Sequence, residues 1–396
     1  MKPNKFTRFL NSVPMKIWLL LAIAITFFFF LNDFGLVDIQ KTAIILAAGI
    51  DRSEDGYTMT AQIAVPKGVD RTTGGTSCVN FIAEGATIAD CVADIYCKTG
   101  WVPKFVFCNL ILLGEDTAKQ NVFDALDFFL RIEYMSDGCY IAACEGTAKD
   151  CLSSESAVDD TSSQAIAKLF SGPNIKSGKA TKTSLREFAI GYHGATKSGS
   201  MPYIVQHKQE NSGGEASGGQ SGSAGGEAKE QKIYCAERTA LFYEGRQVGL
   251  LQPDETFAFC MMKGEMFNGY LLTEEDGKSV TLSVIKDNAK VSLDSKGAPK
   301  VTVKVALTVR LFNRTIPAEM EDVAKEELTN ELLENAKKTV EEEVKKVFEI
   351  SRESGCDLFK LNQSLYRSSK RKYEEWKDTL LSAVPVTYEI SVKTVK

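Results

Sequence analysis

Histidine is nearly missing from this 396-residue chain, which has two, His193 and His207. Neither begins an HExxH, so a zinc-hydrolase helix is excluded and a Ser–His or Cys–His dyad has little to be built from. Both are read as surface loop residues. No CxxC occurs among the ten cysteines, which removes zinc-ribbon and thioredoxin-type motifs. The nearest thing to a phosphate loop spans residues 172–180. Its Gly178-Lys179 pair is one residue out of register, and Ala180 stands where a magnesium-binding hydroxyl is needed. It is read as a turn. Asp159-Asp160 precede Thr161, where adjacent acids favour a helix start. No catalytic, cofactor-binding or metal-binding residue is therefore assigned.

Positive charge is also in short supply. Net charge is −5, and the first 31 residues hold Lys2, Lys5, Arg8 and Lys16 with no acid. Removing those four from 47 leaves 43 bases against 52 acids, so the remainder carries −9. A surface of that sign argues against nucleic-acid binding, which needs bases to neutralise phosphates.

What the N-terminus does have is an uncharged run over residues 17–31: Ile17, Trp18, Leu19, Leu20, Leu21, then four residues to Ile25 and Thr26, then Phe27, Phe28, Phe29, Phe30 and Leu31. As a helix it spans about 22 Å, short of the roughly 30 Å hydrocarbon core. Val13, Pro14 and Met15 before it, and Phe34, Leu36 and Val37 after it, can extend it, while Lys16 can reach back to the headgroups. All the bases precede the run, so the positive-inside rule puts the N-terminus in the cytoplasm. A cleaved signal peptide is the rival reading, but no small-x-small site follows, and the first cysteine is Cys78, too distant for a lipid-modified N-terminus. The expectation is a cytoplasmic tail at 1–16 and a transmembrane anchor at 17–33.

Beyond the anchor, residues 42–50 and 57–65 flank the turn signal Asp51 to Gly56 and read as a hairpin. Residues 86–98 carry a helical stripe with Ile88, Cys91, Val92 and Ile95. Residues 105–113 read as a buried strand, 119–131 as a helix and 139–144 as another strand, while 159–191 reads as helical in pieces. Interleaving of this kind points to a sheet covered by helices. Cysteines inside these periodic segments read as small buried hydrophobes, although Cys139 and Cys144 could bridge. Residues 209–231 (QENSGGEASGGQSGSAGGEAKEQ) have almost no apolar side chain and cannot offset their ordering entropy. They read as a disordered linker or long loop between an N-terminal α/β region, 34–208, and a C-terminal α+β domain, 232–396.

In that second half, residues 239–251 read as a hairpin about Glu244-Gly245, and 253–263 as a short helix. Val301, Val303, Val305, Leu307, Val309 and Leu311 line one face of a strand whose other face has Thr302, Lys304, Thr308 and Arg310. Residues 318–353 read as a long helix stopping at Gly355, with Val340, Val344, Val347 and Phe348 on one face. Residues 358–381 read as a further helix, and Val386 to Val392 as a closing strand. The last helix carries Arg367, Lys370, Arg371, Lys372 and Lys377. Arg367, Lys370 and Arg371 are candidates for contact with a partner or anionic headgroups; the competing reading is a solvated face balanced by Glu374 and Glu375. The fold class is thus α+β: a membrane-anchoring helix, then a multidomain ectodomain of mixed and antiparallel sheets packed with helices.

Three segments in order resemble a known family: IILAAGIDRSEDGYTMTAQIAVP ending at Pro66, FVFCNLILLGEDTAKQNVFDALDFFLR over 105–131, and VEEEVKKVFEISRESGCDLFKLNQSLYRSSKRKYEEWKDTL over 340–380. Their AxGID turn, strand–Gly–Glu step and GxDxF helix start resemble the Ger(x)C family, the C subunits of bacterial spore germinant receptors. The resemblance implies a non-enzymatic subunit without cofactor, outside the inner spore membrane, acting with an integral-membrane A subunit and a permease-like B subunit. Members are typically lipoproteins; here the apolar helix would replace the lipid. The alternative is an extracytoplasmic solute-binding or enzymatic domain.

Overall fold

A computed structural model describes residues 15–31, 41–65, 77–208, 231–264, 266–275, 277–314 and 328–395. It divides into two units, Met1–Thr42 and Ala43–Lys396.

The first unit holds helix α1 (Met15–Leu31), 17 residues with no acid in its first turn. The apolar side chains named from Ile17 to Phe27 are exposed, Leu20 by 64%. At 1.5 Å per residue the helix spans about 25 Å, less than the roughly 30 Å of hydrocarbon. Among the described residues no helix is long and apolar enough to cross a membrane. The spanning anchor expected at 17–33 is thereby corrected to a shorter apolar helix. The tail up to residue 14 and the extending residues Phe34, Leu36 and Val37 lie outside the described residues.

The second unit is built on two sheets. β1 (Thr42–Ser53), β2 (Gly56–Val65) and β3 (Ser77–Gly85) form an antiparallel meander. Helix α2 (Ile88–Thr99) follows, opened by a Thr87–Asp90 capping box and stopped by Gly100 at φ 70°. β4 (Val102–Lys104) pairs with β1. Only Leu110–Leu113 of the apolar run 105–113 becomes a strand, β5. Phe105 instead turns inward onto the ring edges of Phe128 and Phe129, and the Cys108 N–H closes a turn onto its carbonyl. A short α3 (Glu115–Ala118) comes next, and the helix expected at 119–131 begins only at Phe123 as α4 (Phe123–Arg131), because the Val122 N–H is drawn off to the Gly245 carbonyl.

β6 (Tyr140–Cys144) is followed by α5 (Ala148–Ser153), β7 (Glu155–Ser156), α6 (Ser162–Leu169), α7 (Gly172–Lys176) and α8 (Leu185–His193). Thr161 caps α6, as the acids before it led one to expect. β8 (Ser198–Lys208), β9 (Gln231–Tyr243) and β10 (Arg246–Leu251) complete the sheet in the order β10-β9-β8-β6-β5-β1-β2-β3. β1, β5 and β6 run parallel at its centre. Ala47 to Ile50 and Leu110 to Leu113 are buried without alternation, because helices cover both faces. α2, α4 and α8 pack on one face around Met59, Leu126, Phe129 and Phe242; α5 and α6 pack on the other around Leu110, Leu112 and Ile204.

The Gly/Ser-rich segment lies outside the described residues, except that Gln231 opens β9. Lys208 pairs with Lys232, so its two ends leave neighbouring strands. β9 and β10 join the first sheet although they follow the segment, so composition and sheet membership divide the chain at different points.

After α9 (Pro253–Met262), the second sheet comprises β11 (Gly269–Glu275), β12 (Lys278–Asp287), β13 (Lys290–Asp294) and β14 (Lys300–Arg314). β14 pairs antiparallel with β12 and β13 along one side. Val301, Val303, Val305, Leu307 and Val309 are buried, and α10 (Asn330–Ser354) covers them with Val340, Val344, Val347 and Phe348. Each such side chain contributes roughly 1.5–3 kcal/mol by leaving water. Residues 318–327 of the expected long helix lie outside the described residues. The single helix expected at 358–381 is three: α11 (Leu361–Ser368), α12 (Lys370–Trp376) and α13 (Leu380–Ala383). Ser369 takes an extended backbone, φ −161°, and its hydroxyl caps α12, which breaks the run. β15 (Val386–Thr394) closes the sheet parallel to β14.

Two outcomes follow for stability. Phe348, fully buried and stacked on Phe359 at 5.6 Å, should cost about 3–5 kcal/mol when changed to Ala, read by denaturant unfolding. Replacing residues 209–230 with a short turn should leave the melting temperature nearly unchanged, since closure entropy varies by only about 0.6 kcal/mol per doubling of loop length. A large fall would show that the segment packs.

Candidate functional site

Each of the three sequence motifs falls at a place where backbone groups must be joined across the fold. In the AxGID turn, the Asp51 carboxylate accepts from the Ala148 and Lys149 N–H groups at 2.7 and 2.9 Å, holding the start of α5. Burial raises its pKa above the ordinary carboxylate value, against those two bonds. In the strand–Gly–Glu step, a Cβ on Gly114 would lie 2.0 Å from Asp51 Oδ1, so only glycine fits beside that carboxylate. Glu115 then exchanges backbone and side-chain bonds with Gly146, its carboxyl lowered by the Lys119 ammonium. The step and the turn are one knot.

The third motif joins the two sheets. α10 stops at Gly355, whose φ of 69° reverses the chain. Cys356 is fully buried, its thiol directed at the Phe242 and Gly199 carbonyls at 3.3 and 3.6 Å. The Asp357 N–H donates to Ser198 Oγ at 3.0 Å, and its carboxylate accepts from the Leu361 and Asn362 N–H groups, both at 2.8 Å. Burial pushes Asp357 up to about 6, against those backbone bonds. Phe359 inserts between Phe348 and Phe259. Tyr373 adds a bond from its hydroxyl to the Ala195 carbonyl, so the turn before β8 and the start of that strand are held at several points by the segment that follows α10.

A cleft of about 660 Å³ opens beside this junction. Lys182, Lys263, Lys290 and Lys360 line it with one acid, Glu187, over a floor that includes Met262, Val291, Leu358 and Phe359. The sequence reading missed both the cleft and the junction. The GxDxF spacing was a signal for Asp357 and its neighbour Lys360, but Ser198, Lys182, Lys263 and Lys290 come from distant elements and carry none.

The structure separates the basic residues of the C-terminal helices. Lys372 is turned inward, donating to the carbonyls of Ser295, Lys296 and Gly297. Lys377 pairs with Glu374 at 2.8 Å. Arg367, Lys370 and Arg371 stay exposed and form no described ion pair, although Lys370 lies within electrostatic range of Glu374. On the second sheet, Lys304 faces its register partner Glu389 at 3.6 Å, and Arg310 is exposed on the same strand.

Three smaller expectations need correction. His193 ends a helix against Phe123 and Tyr192, and His207 lies in a strand; neither is in a loop. Cys139 and Cys144 cannot bridge. They flank one strand about 16 Å apart at 3.3 Å per residue, Cys139 beside Cys108 and Cys144 beside Cys151, and all ten thiols are free. Residues 172–180 are not simply a turn: Gly172-Pro173 opens α7, and Gly178 at φ 77° follows it.

Asp357→Ala should lower stability by about 1–2 kcal/mol, the usual cost of a lost helix cap. The folded pKa of Asp357 is raised, so the native state holds its proton more tightly than the unfolded chain. The wild type therefore loses stability as pH rises from about 4 to about 6, and the variant lacks that loss. The deficit should narrow across the window, measured by urea unfolding at several pH values. A deficit that widens would contradict the assignment.

Comparison with known proteins places these features in a family. The family model described as "Spore germination protein N-terminal domain" matches residues 36–206, and the one described as "Spore germination B3/ GerAC like, C-terminal" matches residues 237–396. The chain is 24% identical over 268 residues to "Spore germination protein B3" of Bacillus subtilis (strain 168), covering 64% of this chain and 63% of that protein. It thus spans somewhat less than two thirds of the length of that curated relative. The structure titled "Crystal Structure of the GerBC protein" aligns with a TM-score of 0.49 at 18% identity, covering 88% of this chain and 97% of that one. With both halves matched, the chain belongs to the Ger(x)C family of spore germination proteins.

Proposed function

We propose that this protein is the non-enzymatic C-type subunit of a spore germinant receptor, working with integral-membrane A and B partner subunits. The observation that carries this reading is that the two family matches take in both sheets and all three motif sites. In this reading α1 seats its apolar side chains in the inner spore membrane, and the two-sheet unit lies on the extracytoplasmic side. The bases that precede α1 add electrostatic attraction to anionic lipid headgroups.

Arg367, Lys370 and Arg371 form the contact surface for a partner or for anionic headgroups. Two observations support this. All three are exposed and form no described ion pair, whereas Lys372 and Lys377 beside them are engaged within the fold. Lys370 and Arg371 also lie in the first turn of α12, where the helix dipole disfavours cations by a few tenths of a kcal/mol. A charge that works against its own helix is better explained by an outside partner than by local stability.

Reversing Arg367, Lys370 and Arg371 to Glu should leave the fold intact, because surface changes usually move stability by less than about 0.5 kcal/mol. It should weaken assembly, since charge complementarity governs encounter and partner choice. Spores carrying the triple change should germinate more slowly at unchanged protein level, and affinity purification from their membranes should recover less of the partner subunits. Normal germination with normal recovery would reject this surface and turn attention to the strand face with Lys304, Thr308 and Arg310.

A further inference from the structure

The first sheet leaves large apolar side chains uncovered at one end. β1, β5 and β6 run parallel, with Ala47 paired to Leu110 and Leu110 to Tyr140. The residues that precede the three strands therefore lie together. Backbone bonds from Asn109 N–H to the Leu46 carbonyl (3.0 Å) and from Tyr140 N–H to the Asn109 carbonyl (2.9 Å) tie them. In the turn before β5, Val106 and Phe107 face solvent, Phe107 by 62%. Before β6, Tyr134 is 76% exposed and holds a φ of 65°, in the left-handed region that tyrosine rarely adopts. α2 begins where Gly85 pairs with Tyr57, at the opposite end, and returns along β3. It thereby delivers Trp101, also exposed, to the same end.

This is the end at which the chain enters the sheet. Lys41 and Thr42 lead into β1 here, and nine residues, 32–40, separate them in sequence from the apolar helix α1.

We propose that this end is a membrane-interfacial surface, with Trp101, Val106, Phe107 and Tyr134 lying among the headgroups of a phospholipid bilayer. The inference rests on the reading above that α1 seats in the membrane. Trp and Tyr concentrate at the lipid–water boundary, where one part of the ring is apolar and another meets polar groups, and Phe and Val add apolar area there. Four such residues would bind a bilayer weakly on their own. Attachment through α1 turns their contact into an intramolecular event, so a small free energy suffices. The contact would fix which side of the two-sheet unit faces away from the lipid.

The test uses the full-length chain in vesicles of phosphatidylcholine and phosphatidylglycerol. With Trp18→Phe and Trp376→Phe, Trp101 becomes the sole tryptophan of the three. Flotation with the vesicles reports on α1, and quenching by lipids brominated near the headgroup reports on this end. The expected result is flotation, a blue-shifted emission and quenching of Trp101 at least about twofold stronger than that of Trp376 in the matching Trp18→Phe, Trp101→Phe chain. Val106→Ser with Phe107→Ser, in an exposed turn, should lower the quenching, with circular dichroism confirming that every variant is folded. Flotation with Trp101 no more quenched than Trp376 overturns the inference and leaves the α1 reading standing, with a protein partner as the remaining occupant of this end. Quenching that survives the double serine change overturns insertion of the loop. Failure of the wild-type chain to float overturns the α1 reading, and the inference falls with it.

Discussion

The joint between the two sheets of the second unit is built around one buried carboxylate. Asp357 sits between the end of α10 and the start of α11; its N–H reaches Ser198 of the first sheet, and its carboxylate accepts from the Leu361 and Asn362 N–H groups that open α11. A buried charge of this kind is costly unless its hydrogen-bonding capacity is met. Here two helix N–H groups meet it, and its own N–H reaches Ser198. The glycine before it provides the left-handed turn, and the phenylalanine after it fills the space between α9 and α10. The spacing of Gly355, Asp357 and Phe359 is thus a mechanical requirement: reverse the chain, cap the next helix, seal the joint.

The knot at Asp51 and Gly114 does the same work at the other side of the first sheet. A carboxylate at a strand end again receives backbone N–H groups from a helix start, and a glycine again allows the close approach. The two halves therefore share a physical solution, in which orphan N–H groups of a helix N-terminus are met by an acid from a neighbouring element. Joints of this sort matter mechanically, because displacement of one sheet can reach the other only through contacts that do not slip.

Much of this was legible in the sequence where one element decides its own fate. The alternation from Val301 to Val309, the stripe of α10 and the Glu244-Gly245 hairpin all appear as read, because side-chain periodicity and turn chemistry act locally. The failures share a cause as well. The apolar run at 105–113 breaks because Phe105 finds two rings distant in sequence, and the helix at 119–131 begins late because Gly245 captures the Val122 N–H. β3 and β8 were missed since their pairing, not their pattern, makes them strands. Of the candidate contact residues, Arg367, Lys370 and Arg371 could be picked by charge alone, but their separation from Lys372 depends on a loop 75 residues away in sequence. The cleft lysines have no local signature at all.

The claim that the Asp357 joint couples the two sheets can be tested by hydrogen exchange of the full-length chain, comparing wild type with Asp357→Ala residue by residue. Coupling predicts that protection falls in 355–368 and also in the strands it grips, around Ser198 to Ser200 and Leu241 to Tyr243. Loss of protection confined to 355–368, with those strands exchanging as in the wild type, would contradict it.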